Sequence, residues 1–303
     1  MIAVFDHVFS YLKDNDLDAT LDRFKRAGFL VDQQRKVRHS CGRLTGFAHL
    51  TSSYLEFLSV VDEAEFGCQA DFRERLFRSR PQPYGIGAKV ENARLVHRTL
   101  KQTFPEIPPV VTRAAIGKKS RKPAWTFCQM PPHAFPGAEV FGIQYHYSRR
   151  ARPELRQGPN TIFALGGFAF CSDHREKNLA GWEFTLSKLG RVSIAGSTLR
   201  FGAQQVEWIS RAEYRRRTGQ AYAGVAEEQG GIAIIKLLCA DLREARRSLM
   251  AQDFRCVAQR DTKADFAPDP NTGYTFELIQ EKPARFMRHL NQGSPPKTRR
   301  AGP

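Results

Sequence analysis

Two segments far apart in the chain carry the same helical pattern. Asp16 is followed by Leu17, Leu21 and Phe24, and Asp241 by Leu242, Ala245 and Leu249, with Phe29 and Phe254 closing the two stretches. Apolar residues at that spacing fall on one side of an α-helix and need a surface to bury them. Asp16 and Asp241 stand at the start of the first turn, where a carboxylate can accept from free backbone amides and oppose the helix dipole. Each helix follows an apolar run suited to a strand, Ala3 to Leu12 and Gly231 to Leu238, and leads to another, Ser53 to Val60 and Gly273 to Gln280. Two weaker copies lie between. In one, Tyr84 to Val90 precedes a helix from Asn92 to Thr103 and a closing strand from Glu139 to His146. In the other, Leu165 to Cys171 precedes a short helix from Asp173 and a closing strand from Gln204 to Ser210. Four β-α-β-β-β units then account for the chain and place it in the α+β class.

Aligned on their apolar alternation, the closing strands put Glu56, Gln144, Glu207 and Glu277 at one position. A polar side chain among strand-forming apolar neighbours needs either solvent or a partner. Water on an outer face would serve. A sheet that curls would instead gather these side chains in a cavity on its concave side.

At 303 residues, with 41% apolar and 11% aromatic residues, the chain has enough to bury for packed cores, and length alone suggests two domains. No run approaches the roughly 18 apolar residues of a membrane helix, since Gly231 to Ala240 is interrupted by Lys236. The N-terminus lacks a basic flank and cleavage site, so the expectation is a soluble cytoplasmic protein. The six cysteines (41, 68, 128, 171, 239 and 256) are scattered singly, which suits free thiols in a reducing compartment better than a zinc site. The net charge is +16, concentrated in Gly117 to Lys122, Arg149 to Arg156 and a tail from Lys282 that reads as disordered. Without a helix-turn-helix, zinc finger or RNA-recognition signature, solvated loops or attraction of an anionic small molecule fit this charge better than nucleic acid.

Asp6-His7-Val8 on the first strand, Ala27-Gly28-Phe29 at the helix end and Tyr54-Leu55-Glu56-Phe57-Leu58 on the closing strand resemble the first unit of a glyoxalase-like domain. Pro136 to Tyr145 is similar to that domain's second closing strand, and Gly158-Pro159-Asn160 leading into Leu165-Gly166-Gly167-Phe168 to the segment after it, although Gly158 stands where the family usually has His. The resemblance, over about residues 3–175, is to the vicinal-oxygen-chelate superfamily that includes glyoxalase, bleomycin-resistance and extradiol dioxygenase proteins. It implies four modules paired into two cupped mixed β-sheets with flanking helices. Residues 1–150 would form the glyoxalase-like pair (modules about 3–61 and 83–147) and 158–285 a second pair (about 159–211 and 230–281), with 286–303 a disordered basic tail.

The resemblance further implies a divalent metal in the N-terminal cup, bound by His7 and Glu56 from the first module and Gln144 from the second. An imidazole with a carboxylate suits Zn, Fe, Mn or Ni, and open positions could take two substrate oxygens. The first strand of the second module, Tyr84-Gly85-Ile86-Gly87-Ala88, offers no ligand, and Glu207 and Glu277 have no histidine on their first strands, so the second pair reads as structural. His39, Arg43, Tyr54 and His146 border the expected site as substrate-binding candidates, Arg43 for an anionic group; each also has an ordinary reading as surface or packing. The leading expectation is a metal-dependent lyase or isomerase, with Glu56 moving a proton on a small, anionic, oxygenated metabolite. A dioxygenase is disfavoured because iron sites prefer two histidines. A metal-free protein that sequesters small molecules is the alternative. A homodimer is compatible with either reading.

Overall fold

The computed structural model describes residues 2–34, 36–39, 41–70, 72–79, 82–114, 123–146, 158–224 and 230–292. The basic segments Gly117 to Lys122 and Arg149 to Arg156 lie outside these residues, as does the tail beyond Gln292.

The first unit runs β1 (Ile2–Tyr11), α1 (Leu17–Arg26), β2 (Leu30–Val31), β3 (Val37–His39), β4 (Arg43–His49) and β5 (Tyr54–Val60). Helices α2 (Glu63–Gln69) and α3 (Phe72–Ser79) lead to the second: β6 (Gly85–Val90), α4 (Ala93–Lys101), β7 (Val111–Ala114), β8 (Pro123–Gln129) and β9 (Glu139–Tyr145). The third comprises β10 (Ile162–Cys171), α5 (Arg175–Leu189), β11 (Val192–Ala195), β12 (Thr198–Phe201) and β13 (Gln204–Ile209), followed by α6 (Arg211–Thr218). The fourth comprises β14 (Gly231–Cys239), α7 (Leu242–Met250), β15 (Cys256–Arg260), β16 (Lys263–Phe266) and β17 (Phe276–Gln280), followed by α8 (Pro283–Gln292). The repeated helices start where their caps dictate. Asp16 accepts from the Ala19 amide at 2.9 Å, Asn92 from Leu95 at 2.9 Å and Asp241 from Glu244 at 3.0 Å.

Within each unit a helical crossover lets the first and last strands pair in parallel: β1 with β5, β6 with β9, β10 with β13 and β14 with β17. Units then join through antiparallel first strands, β1 with β6 and β10 with β14. Units one and two therefore share a nine-stranded sheet, and units three and four an eight-stranded one. This is the α+β architecture of paired modules.

The helix-side faces of both sheets contribute to one apolar core, with Phe5, Leu21 and Phe57 from the first half and Phe168, Trp182 and Trp208 from the second. Gln204 ties the sheets together: it accepts from the Phe5 amide at 2.6 Å and donates to the carbonyls of Phe5 and Leu165, each at 2.9 Å. The opposite, concave faces carry separate clusters. Phe9, Tyr11, Leu58 and Val60 of the first sheet lie under Phe66 of α2 and Phe77 of α3. Ala169, Cys171 and Ile234 of the second lie under Tyr214 of α6, and Phe163 and Leu238 under Phe286 of α8.

Those covering helices are where the structure departs from the repeat pattern. α2, α3 and α6 have no counterpart in it. The segment from 286, expected to be disordered, is helical through Gln292 because Phe286 anchors it on the sheet. The helix after Asp173 is 15 residues long rather than short, with Trp182, Leu186 and Leu189 buried. All six cysteines are free thiols. Among the described residues no helix is long and apolar enough to cross a membrane.

Candidate active site

Strict alternation along β1 would send Asp6 and His7 to opposite faces. The pairing of β1 with β6 instead shifts register between Phe5 and His7. Phe5 stays in the core, while both Asp6 and His7 serve the concave side. Asp6 Oδ2 lies 3.3 Å from His7 Nδ1 and also accepts from the Tyr145 hydroxyl on β9. The other ring nitrogen, Nε2, faces Glu56 Oε2 on β5 at 3.5 Å. His7 and Asp6 are each 1% exposed and the Glu56 side chain 14%, so Glu56 is the member of the trio open to a visiting molecule.

Rings and one glycine hold the imidazole in place. Tyr54 stacks on His7 with centroids 4.3 Å apart and planes 10° apart, and Phe141 of β9 approaches to 5.4 Å. Across β6, Gly87 pairs with His7, and a β-carbon on Gly87 would fall 1.9 Å from the ring. The imidazole occupies the space a side chain of the second unit would otherwise fill. Burial raises the Glu56 carboxyl above the usual carboxylate range, against His7 and Arg43, which pull it down, while Asp6 adds to the rise. Burial, then Tyr145, Glu56 and Asp6, keep the Tyr54 phenol protonated.

Of the residues expected at this site, His7, Glu56 and Tyr54 meet. Gln144 does not join them. Phe141 and Tyr145 of β9 face the cup, so Gln144 points to the helix side, where its Oε1 accepts from the Ala93 amide at 3.1 Å and satisfies a free donor of α4. His146 follows Gln144 on that side, with Nε2 2.7 Å from Thr126 Oγ1. Arg43 lies on the concave face further along β4, its guanidinium bound to Glu74 and 3.5 Å from the Tyr11 hydroxyl. His39 pairs with it across the strands. Asp6 enters the site as the residue directly before His7, and the Tyr145 hydroxyl donates to it.

Glu207 and Glu277 face the second sheet's concave side and meet cations there. Glu207 lies 3.1 Å from Lys236 and 2.7 Å from Arg217, and Glu277 lies 2.8 Å from Lys263. Burial opposes ionisation of Glu207, but Lys236 and Arg217 outweigh it and hold its carboxyl below the usual range. Both glutamates are therefore ion-pair partners of basic side chains.

Burial first, then Arg43 and Arg113, hold the His39 imidazole down at about 4 against an ordinary 6.5. Below pH 6.5 the unfolded chain takes up a proton that the native ring refuses, so stability falls as pH drops toward 4. Between pH 7 and pH 5 the native protein is expected to lose about 2 kcal/mol more stability than His39→Gln in urea unfolding. Equal losses would remove this burial effect.

The fit to a divalent ion is favourable in kind and short in number. His7 Nε2 and Glu56 Oε2 converge at a separation that two donors of one ion can adopt, and Asp6 behind Nδ1 is the outer partner a metal-binding imidazole usually has. Among the described residues no group of three or more His, Cys, Asp or Glu side chains is placed to bind a metal. The pair fits an ion whose remaining positions belong to water or substrate.

The glyoxalase-like domain family matches residues 5–186, more than half of the sequence. The chain belongs to that family. Its fold is that of the vicinal-oxygen-chelate superfamily. A Staphylococcus aureus protein described as hypothetical is similar at 12% identity and a TM-score of 0.60, covering 93% of this chain and 100% of the other. A mutant 4-hydroxymandelate synthase from Streptomyces coelicolor is similar at 11% identity and a TM-score of 0.57, over 97% of this chain and 98% of that one. A catechol 2,3-dioxygenase is similar at 11% identity and a TM-score of 0.54, over 93% and 88%. At such identities the likeness is one of fold. No curated protein sequence matches.

Proposed function

We propose that this glyoxalase-like protein is an enzyme that takes a small, oxygen-bearing anionic molecule into the first sheet's concave site and moves a proton through Glu56, in lyase or isomerase chemistry. The observation that carries the reading is the alignment of Asp6, His7 and Glu56, with His7 Nε2 3.5 Å from the one partly open carboxylate. Asp6 fixes the imidazole by its Nδ1 side, and Tyr145 in turn donates to Asp6. Tyr54, Phe9 and Phe141 keep water from the ring. Glu56, raised by burial above the usual carboxylate range, holds a proton more readily than an exposed carboxylate and is the group suited to pass one to a bound molecule. His7 and Glu56 would hold a divalent ion, which when bound supplies Lewis-acid stabilisation of charge on a substrate oxygen.

Calorimetric titration of the chelator-treated full chain with Zn²⁺, Mn²⁺, Ni²⁺ and Fe²⁺ tests this. One ion per chain is expected, with affinity falling at least about tenfold in His7→Ala and in Glu56→Gln. A flat titration would favour a metal-free binding protein, a reading supported by the convergence of only two donors and by the aromatic walls.

A further inference from the structure

Among the described residues, three buried polar atoms on or beside the first sheet's concave face have no hydrogen-bond partner: His39 Nε2, Arg43 Nε and Thr45 Oγ1. Buried polar atoms are nearly always paired, so a group of orphans marks a place for something else to bind. These three are neighbours. His39 pairs with Arg43 across β3 and β4, and Thr45, fully buried, lies two residues from Arg43 on the same face. Phe47, the next residue on that face, pairs with Glu56. Thr45 therefore sits about 7 Å along the strand from the proposed proton-transfer group, and Arg43 with His39 about 13 Å.

The geometry points to a seat for the carboxylate of the substrate, formed by Arg43 Nε, Thr45 Oγ1 and His39 Nε2, with the reacting end of the molecule reaching toward Glu56. This deepens the proposed function and rests on it. Arg43 offers a permanent donor, and its other side is fixed by Glu74 and Tyr11, so Nε is left to bind. The Thr45 hydroxyl offers a second donor. The neutral imidazole of His39 can place its proton on Nε2 and offer a third. Three donor atoms that no described acceptor engages suit an anion. Glu74 already offsets the charge of Arg43, which favours a monoanionic carboxylate over a dianionic phosphate. The stretch between seat and Glu56 passes Phe47, whose ring packs edge-on to Tyr54 at 5.4 Å, an aromatic lining of the kind that favours a flat apolar group.

The matched pair benzoate and benzamide, equal in shape and different in charge, tests the seat by titration of the full-length protein. Benzoate is expected to bind at least about tenfold more tightly than benzamide. Thr45→Val, which keeps the buried volume, and Arg43→Gln should each shrink that preference to under about threefold. A preference that survives both substitutions, equal binding of the two probes, or binding of neither would overturn the seat. Those outcomes are separable from failure of the Glu56 site, which is read by metal uptake in the His7→Ala and Glu56→Gln variants.

Discussion

Alanine in place of Gly87 is expected to destabilise the protein by about 3 kcal/mol and to abolish metal binding by His7 even in the molecules that remain folded. The added carbon would overlap the imidazole, lying 1.9 Å from the ring's Cε1 and 2.3 Å from Nε2. The ring has nowhere to go. Its other face is stacked on Tyr54 at 4.3 Å, and Asp6 and Glu56 hold its two nitrogens. Relief must come from moving β6 away from β1, which breaks the antiparallel seam joining the first two units. The decisive measurement is a double-mutant cycle with His7→Ala under urea. Removing the imidazole makes room for the methyl, so Gly87→Ala should cost less than about 1 kcal/mol in the His7→Ala background. An equal cost in both backgrounds would show that Gly87 is needed for the strand rather than for the ring.

That glycine also shows what could be read from the sequence and what could not. The absence of a ligand on the second unit's first strand was visible; that the missing side chain makes space for His7 was not, because it depends on cross-strand pairing. The helices were legible because their caps and apolar stripes are local: Leu17, Leu21 and Phe24, and Leu242, Ala245 and Leu249, are buried as their spacing requires. Alternation put Glu56, Gln144, Glu207 and Glu277 at one position, yet the structure turns Gln144 to the helix side, away from the three glutamates. A polar residue on a strand can be satisfied by a helix amide as well as by a cavity, and only the packing of α4 decides between them. The role of Asp6, on the same side as His7, was not legible for a related reason. A β-bulge breaks the period of two, and no composition signal marked the register shift that puts consecutive side chains to work together. The covering helices lie between the repeats and share none of their pattern. Among their anchors, Phe66, Tyr214 and Phe286 are each the one Phe, Tyr or Trp of a helix with charged neighbours, and only the concave surfaces they meet show their purpose.

Trp182→Ala is expected to cost about 3–5 kcal/mol, enough to threaten a domain of ordinary stability. The indole is fully buried on α5 and stands where both sheets meet. Phe5 of β1 lies 6.1 Å from it, Phe135 of the second unit 4.9 Å, Phe170 of β10 5.0 Å and Trp208 of β13 5.9 Å, measured between ring centroids. Its Nε1 donates to the Pro136 carbonyl at 3.0 Å, so truncation empties the middle of an aromatic cluster and leaves a carbonyl without its donor. Trp182→Phe keeps most of the ring contacts and should cost roughly half as much. Because units one, two and three all touch this side chain, the loss is shared between sheets. Near-ultraviolet circular dichroism and backbone signals should therefore move together in one transition at lower urea. Two separated transitions, with the half containing β1 unaffected, would mean that Trp182 stabilises only its own sheet and that the shared core does not couple them.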